Sequence, residues 1–299
     1  MAELLPFDDR DGHLWYNGEM VPWREARLHV LSHGLHYASC VFEGERAYGG
    51  TVFKLTEHSQ RLIDSGRILG FDVPYTVAEL DAATNAVIRK NGFSDCYVRP
   101  VAWRGPEQMG VSAQHSRINV AIATWEWGAY YSDLTLTRAI YQRPAPNTAP
   151  VKSKAAGLYM ICTICKHDAE RKGFGDALML DYRGYLAETT GANLFLVIDG
   201  VLHTPSPDCF LDGITRRTVI ELAKKRGLEV VERHIRPEEL EKVQEIFVTG
   251  TAAEVTPVRA IDEMRFQVGP ITSRRVDDFR ALTRTAATPA VAPATAKAG

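Results

Sequence analysis

The feature that most constrains this chain is a succession of short apolar and β-branched runs joined by turns of two or three residues. Asn17-Gly18 lies inside LWYNGEMVPW (14–23), Tyr182-Arg183-Gly184 inside DALMLDYRGYLAE, and Asp199-Gly200 inside NLFLVIDGVLHTP. Turns this short join antiparallel neighbours, because a parallel return needs a crossover of roughly a dozen residues. Strand-like runs also occupy 51–55, 95–105, 117–127, 134–143 and 245–250. Helical periodicity is confined to four stretches. The first, 56–70, has Thr56 as candidate N-cap and Gly70 as a stop; the others are 77–92, 158–173 and 215–227. The balance predicts an α+β fold of mainly antiparallel sheets rather than a regular βαβ succession.

A chain of 299 residues has the length for two domains. GAYYSD (128–133) is a weak boundary between two strand-rich regions. The expected division is a small N-terminal domain over 1–128, a linker over 129–135 and a larger domain over 136–284. Residues 285–299, rich in Ala, Thr and Pro without apolar periodicity, are expected to be disordered.

Charge and cysteine usage narrow the function classes. Thirty-five Lys+Arg against 37 Asp+Glu leave a net charge of −2, without the basic excess that nucleic acid or an anionic membrane calls for. No run of about 18 apolar residues is present, so no membrane helix is expected. MAELLPFDDR is acidic and lacks the layout of a secretion signal. Five cysteines are too few for a disulfide framework, and odd in number. A cytoplasmic protein with neither nucleic-acid nor membrane partners is expected.

Several constellations could carry chemistry. Lys152 and Lys154 stand in a Pro-rich loop (143–157) ahead of a helix, among Ser153, Ala155, Ala156 and Gly157. Small neighbours leave room for a bulky group on an amine, and partial burial would lower its pKa, as a Schiff-base lysine requires. Two solvated loop lysines would share the pattern. LDGITRRT (211–218) puts Gly213 before a helix start, where free N–H groups at Ile214 and Thr215 could hold a phosphate or simply be capped. TGTAAEVTPV (249–258) is either a close-approach ligand loop or an ordinary strand-end turn. Glu188, among small and hydroxylic residues, could hold a protonated ring nitrogen or lie on a surface turn. Cys162 and Cys165 have redox-like spacing but sit in a helical pattern, where two small apolar residues are the simpler reading. His33 and His36 lack an evident carboxylate partner, and no metal is assigned.

The order and wording of these segments resemble the branched-chain amino-acid aminotransferases, of the fold-type IV class that uses pyridoxal 5′-phosphate (PLP). The matching stretches include YNGEMVPW, HVLSHGLHYASCVFEGERAY, EHSQRL, YVRP, WGAY, APNTAPVKSKAAGLY, GYLAETTGANLF, LDGITRRTVIELA, EIFVTGTAAEVTPV and VGPIT. The resemblance implies a small N-terminal α+β domain and a larger pseudo-barrel domain with PLP between them, in an assembly built on homodimers. It singles out Lys154 over Lys152 as the residue that bonds to PLP and then moves the proton between substrate Cα and cofactor C4′. Tyr159 is implied to hydrogen-bond O3′, Glu188 to pair with the pyridine nitrogen, and Arg61 to grip the phosphate. Ile214, Thr215 and the Thr251 hydroxyl complete that grip.

The implied substrates are L-leucine, L-isoleucine and L-valine, with 2-oxoglutarate as amino acceptor and branched 2-oxo acids and L-glutamate as products. The α-carboxylate is expected at the backbone of Thr251 and Ala252, near Tyr97 and Arg99. Tyr37, Phe42, Met109 and Tyr130 are expected to wall an apolar pocket, with Arg46 as its polar edge for 2-oxoglutarate. One position departs from the family wording: Ala192 in ETTGANLF stands where many members carry a second Glu, so Arg46 is expected to lack a carboxylate partner. Relatives of the same fold leave other reactions open: D-amino-acid or (R)-amine transamination, and aminodeoxychorismate lysis.

Overall fold

The computed structural model describes residues 6–128 and 134–286. Its first half is a sheet made of β1 (His13–Tyr16), β2 (Glu19–Pro22), β3 (Cys40–Phe42), β4 (Glu45–Tyr48), β5 (Thr51–Val52), β6 (Cys96–Arg104) and β7 (Ile118–Glu126). The order is β2-β1-β7-β6-β4-β5, with β3 paired to β6, and every pairing is antiparallel. Asn17 and Gly18 both take positive φ (49° and 102°), the two-residue turn that the β1–β2 hairpin needs. Between the strands come α1 (His33–Tyr37), α2 (Leu55–Ile68) and α3 (Val77–Asn91). Thr76 and Glu79 form a capping box at the start of α3, and Gly92 closes it in a left-handed turn. The start of α2 differs from expectation. Left-handed Lys54 precedes the helix, and Thr56 directs its hydroxyl to Asp81 on α3 (2.7 Å) instead of capping. Leu62, Leu80, Val87, Ile88 and Ile122 fill the space between α2, α3 and the sheet. Each such buried side chain stabilises the packing by roughly 1.5–3 kcal/mol.

The second half contains β8 (Leu134–Arg138), β9 (Asp176–Leu180), β10 (Leu186–Thr189), β11 (Asn193–Ile198), β12 (Val201–Pro205), β13 (Val230–Arg233), β14 (Glu245–Gly250), β15 (Glu254–Ile261) and β16 (Met264–Arg265). Its helices are α4 (Tyr159–Arg171), α5 (Ile214–Lys225) and α6 (Pro270–Ala286). The strand order β10-β9-β8-β15-β14-β11 closes on itself, because β10 also pairs with β11 through Glu188 and Asn193. This ring is the expected pseudo-barrel. Leu178, Leu180, Leu194, Leu196, Ile246 and Val248 share one core, while the alternate residues Phe195, Val197 and Phe247 belong to another with Val219 and Phe279 of α5 and α6. Both faces of β11 are therefore buried, which explains the unbroken apolar run NLFLVI.

Not all pairings are antiparallel. β8 runs parallel to β9 and β15, and β12 parallel to β13. Helices α4 and α5 supply the crossovers for β8–β9 and β12–β13, a connection that the tight turns elsewhere had masked. Two boundaries also shift. Leu134 and Thr135, assigned to the linker, belong to β8, where Leu134 is fully buried against Val258. Helix α6 continues through Ala286, into the stretch expected to be disordered. Residues 129–133 of the linker and 287–299 of the tail lie outside the described residues. Among the described residues no helix is long and apolar enough to cross a membrane.

Candidate active site

Where the first sheet meets the barrel mouth, a narrow chamber opens onto a pocket of about 490 Å³; the two share Arg61, Lys154, Tyr159 and Thr251. Lys154 reaches it from the loop before α4, and its Nζ donates to the Tyr159 hydroxyl at 2.7 Å. The amine lies 4.9 Å from the centre of the Phe42 ring and 5.0 Å from that of Tyr159. Burial lowers its pKa to about 8, helped by the nearby Arg61 cation. Burial drives Tyr159 the other way, with the Glu188 charge adding to it, so its phenol keeps its proton at neutral pH. Lys152, two residues earlier, is exposed.

Glu188 sits at the seam where β10 meets β11, beside a register shift between Leu186 and Glu188. Its carboxylate faces the chamber, 3.3 Å from Arg143 Nε, and accepts from Asn193 Nδ2, also at 3.3 Å. Burial pushes the carboxyl up to about 7 against the opposing pull of Arg143 and Lys154. Arg143 is itself buried and donates to Cys162 Sγ (3.2 Å) and the Leu158 carbonyl (3.5 Å) at the start of α4. Asn193 donates as well to the Leu211 carbonyl (3.0 Å), tying the seam to the loop that leads into α5.

The opposite end of the chamber is built for an anion. Ile214 and Thr215, buried in the first turn of α5, have N–H groups with no acceptor among the described residues, as expected at a helix start. Arg216 pins that turn through Asp212 (2.8 Å) and Glu232 (2.7 Å). Arg61, from α2, faces the same space and is clamped from behind by Glu43, with Nε–Oε1 at 2.6 Å and Nη2–Oε2 at 2.8 Å. His58 also contacts Glu43, at 2.7 Å. Burial opposes ionisation of Glu43, but Arg61 and His58 outweigh it and hold the carboxyl well below the usual carboxylate range. Thr249, in the chamber wall, has a buried hydroxyl with no partner among the described residues.

The outer pocket is walled by Phe42, Tyr97 and Trp127 on one side and by the turn 251–253 on the other. Arg99 donates to the Tyr97 hydroxyl (3.1 Å) and stacks over Phe42 (4.8 Å), while its Nε is buried with no hydrogen-bond partner among the described residues. Three expected pocket residues lie elsewhere. Arg46 faces a neighbouring cavity and pairs with Glu254 at 3.0 Å, so it has the carboxylate partner it was expected to lack. Tyr37 and Met109 are about half exposed on an outer surface; His33 joins their segments by stacking on Tyr37 and contacting the Gly110 carbonyl (2.8 Å). Tyr130 lies outside the described residues. Cys162 and Cys165 are buried with Ala169, Ala177 and Met179, and burial raises the Cys162 thiol to about 12, leaving it protonated packing.

A cation-and-helix end, a buried carboxylate end, and an amine beside a phenol between them match the phosphate, ring nitrogen, aldehyde and hydroxyl of PLP, and the orphaned Thr249 hydroxyl points to a polar occupant. The family described as amino-transferase class IV matches residues 40–261. The chain belongs to the class IV aminotransferases. A probable branched-chain-amino-acid aminotransferase of Rickettsia conorii is 43% identical over 278 residues, covering 91% of this chain and 96% of that protein. Among solved structures, a branched-chain aminotransferase of Thermoproteus uzoniensis with norvaline superposes with a TM-score of 0.90 at 38% identity, covering 93% and 96% of the two chains. The Escherichia coli branched-chain amino acid aminotransferase gives 0.89 at 40% identity, also covering 93% and 96%.

In this class IV aminotransferase, sequence reasoning missed Glu43, Gly44 and Arg143. Glu43 and Gly44 lie inside VFEGERAY, and a carboxylate fenced by Phe42 and a glycine was a signal of buried pairing. A Cβ on Gly44 would overlap the Tyr97 hydroxyl, so a side chain there would displace Tyr97 from the pocket wall. Arg143, one residue before a proline, carried no comparable signal.

Proposed function

We propose that this class IV aminotransferase transfers the amino group of L-leucine, L-isoleucine or L-valine to 2-oxoglutarate, producing branched 2-oxo acids and L-glutamate with PLP as cofactor. The carrying observation is the Lys154 amine, lowered to about 8, hydrogen-bonded to Tyr159 between an anion-binding end and a carboxylate end. PLP supplies an aldehyde that condenses with amines and a ring that takes up the electron pair released at the substrate Cα. Lys154 would hold the cofactor through its amine, and the same Nζ is placed to carry the proton of the substrate Cα. Glu188 holds the ring nitrogen's proton, and Tyr159 orients the ring hydroxyl. Arg61, Ile214, Thr215 and Thr251 bind the phosphate.

The N–H groups of Thr251 and Ala252, beside Tyr97, receive the α-carboxylate. Phe42, Tyr97 and Trp127 offer apolar contact that distinguishes aliphatic side chains by only ~1–3 kcal/mol per methylene, so all three branched substrates are accepted. With Arg46 paired to Glu254, Arg99, whose buried Nε has no partner among the described residues, is the cation assigned to the second carboxylate of 2-oxoglutarate. A two-domain division, with the second domain running from β8 through α6, puts the site between the domains. Exposed Leu35, Tyr37, Met109 and Val111 support a homodimer in which Tyr37 and Met109 wall the pocket of the second copy. Five free thiols fit a cytoplasmic setting.

The test is the absorbance spectrum of the purified protein. A visible cofactor band that bleaches with L-leucine and returns with 2-oxoglutarate supports both halves of the reaction. A band untouched by L-leucine but bleached by D-alanine or an (R)-amine would overturn the substrate assignment, and no band after soaking in PLP would overturn the role of Lys154.

A further inference from the structure

Lys154 is held by its backbone as well as its burial. Its N–H donates to Ser65 Oγ (3.0 Å), and its carbonyl accepts from the Phe42 N–H (3.2 Å). The preceding residue adds a second link to the same acceptor residue, with Ser153 Oγ donating to the Ser65 carbonyl at 3.0 Å. Ser65 and Ser153 are each 1% exposed, so water does not compete for these contacts. Ser65 lies four residues after Arg61, one turn along the same face of α2. Arg61 in turn is clamped by Glu43, the residue next to Phe42. The contacts close a ring: Phe42 to Lys154, Lys154 to Ser65, Ser65 along the helix to Arg61, Arg61 to Glu43, and back to Phe42.

From this ring we infer that Ser65 is a positioning residue that fixes the Lys154 amine relative to the Arg61 guanidinium. The inference rests on the reading of Lys154 as the reactive amine. A rigid helix turn carries both anchors, so the lysine cannot drift from the phosphate-binding cation without breaking a buried hydrogen bond. Ser65→Ala leaves the Lys154 N–H buried without an acceptor, and the loop must loosen to hydrate it. Looser packing admits water and moves the amine away from Arg61, the two influences that depress its basicity. Reaction geometry is sensitive to displacements of about 1 Å, so kcat falls about tenfold to hundredfold. Leucine and 2-oxoglutarate half-reactions fall equally, since both use the same amine.

The experiment has one readout that needs no cofactor. Apoprotein is acetylated with acetic anhydride across pH, and labelling at Lys154 is followed by mass spectrometry with exposed Lys152 as internal reference. In the wild type the Lys154 midpoint lies near 8; in Ser65→Ala it moves toward the 10.5 of a solvated lysine, while Ser65→Thr, which keeps the acceptor, restores the lower midpoint and the rate. Should Ser65→Ala fail to fold, Ser65→Cys replaces it, keeping volume but offering only a weak acceptor. A folded Ala or Cys variant with the wild-type midpoint and rate overturns the role of Ser65, as does failure of Thr to restore them. A wild-type midpoint near 10.5 overturns the reading of Lys154 itself.

Discussion

Replacing Arg143 by Met tests the electrostatics at the carboxylate end of the site. The guanidinium lies 3.3 Å from Glu188, and both side chains are nearly buried. Two unit charges at that distance attract by about 5 kcal/mol at an effective dielectric constant of roughly 20. Even a quarter of that, about 1.3 kcal/mol, changes the ionisation constant of Glu188 about tenfold. With Arg143 present, burial already brings the carboxyl to about 7, so roughly half is ionised at pH 7. Without Arg143 the ionised share falls to about a tenth or less. The assay is the single-turnover reaction with L-leucine across pH 6 to 9.5, scored as the ratio of variant to wild-type rate. We expect a ratio near or below about 0.2 around pH 7, climbing as pH rises and the remaining carboxyl ionises. The apoprotein gives a second check. A carboxyl whose folded pKa is raised contributes stability below its ordinary 4.5, and that contribution is lost as pH rises through about 7. In Arg143→Met the loss extends to higher pH. A flat rate ratio over the whole range would refute the claim that Arg143 sets the charge on Glu188.

Three further outcomes are expected. Glu43→Gln strands Arg61 and His58 in a buried site and should lower apoprotein stability in urea by about 3 kcal/mol; added phosphate should stabilise this variant more than the wild type. Arg99→Met should reduce kcat/KM for 2-oxoglutarate about tenfold to hundredfold while sparing 4-methyl-2-oxopentanoate, and equal losses for both would show that Arg99 serves the shared α-carboxylate instead. Gly44→Ala should push Tyr97 out of place and raise KM for leucine, which steady-state kinetics beside an unchanged melting temperature would show.

Local signals carried most of the fold. The cap expected at Thr56 does not form, but Asn17-Gly18 and Asp199-Gly200 each appear where turn chemistry predicts, because these devices depend on neighbours within four residues. The closing of the barrel did not, since β10 meets β11 through a single pairing at Glu188 and Asn193 that no periodicity announces. In the site, Lys154, Tyr159, Glu188 and Arg61, the residues that the motif wording singled out, line one chamber. The residues behind them were opaque. Arg143 reaches Glu188 across 45 positions and Ser65 reaches Lys154 across 89, so their partners exist only once the chain is folded. Arg46 shows the same limit in reverse: the substitution read at Ala192 suggested an orphaned cation, but Glu254 satisfies it from a strand more than 200 residues away.

The two ends of the chamber are the same ion pair turned in opposite directions. At the α5 end Arg61 is the more exposed member, 18% against 0% for Glu43, so a cation faces the chamber with its counter-ion hidden. At the β10 end Glu188 is the more exposed, 12% against 5% for Arg143, so an anion faces it with a cation hidden. A lone buried charge would cost several kcal/mol and neutralise by gaining or losing a proton. Each hidden partner works against that: Glu43 stays ionised behind Arg61, and Arg143 keeps roughly half of Glu188 ionised at pH 7, so the chamber has a positive end and an end that becomes more negative as pH rises. A ligand fitting between them must carry an anion at one extremity and a protonated nitrogen near the other, with a group that reacts with an amine at the height of Lys154. Exchanging the pairs, Glu43→Arg with Arg61→Glu, would preserve net charge and reverse only this polarity, so loss of PLP binding in a folded double variant is the outcome that this account of the site requires.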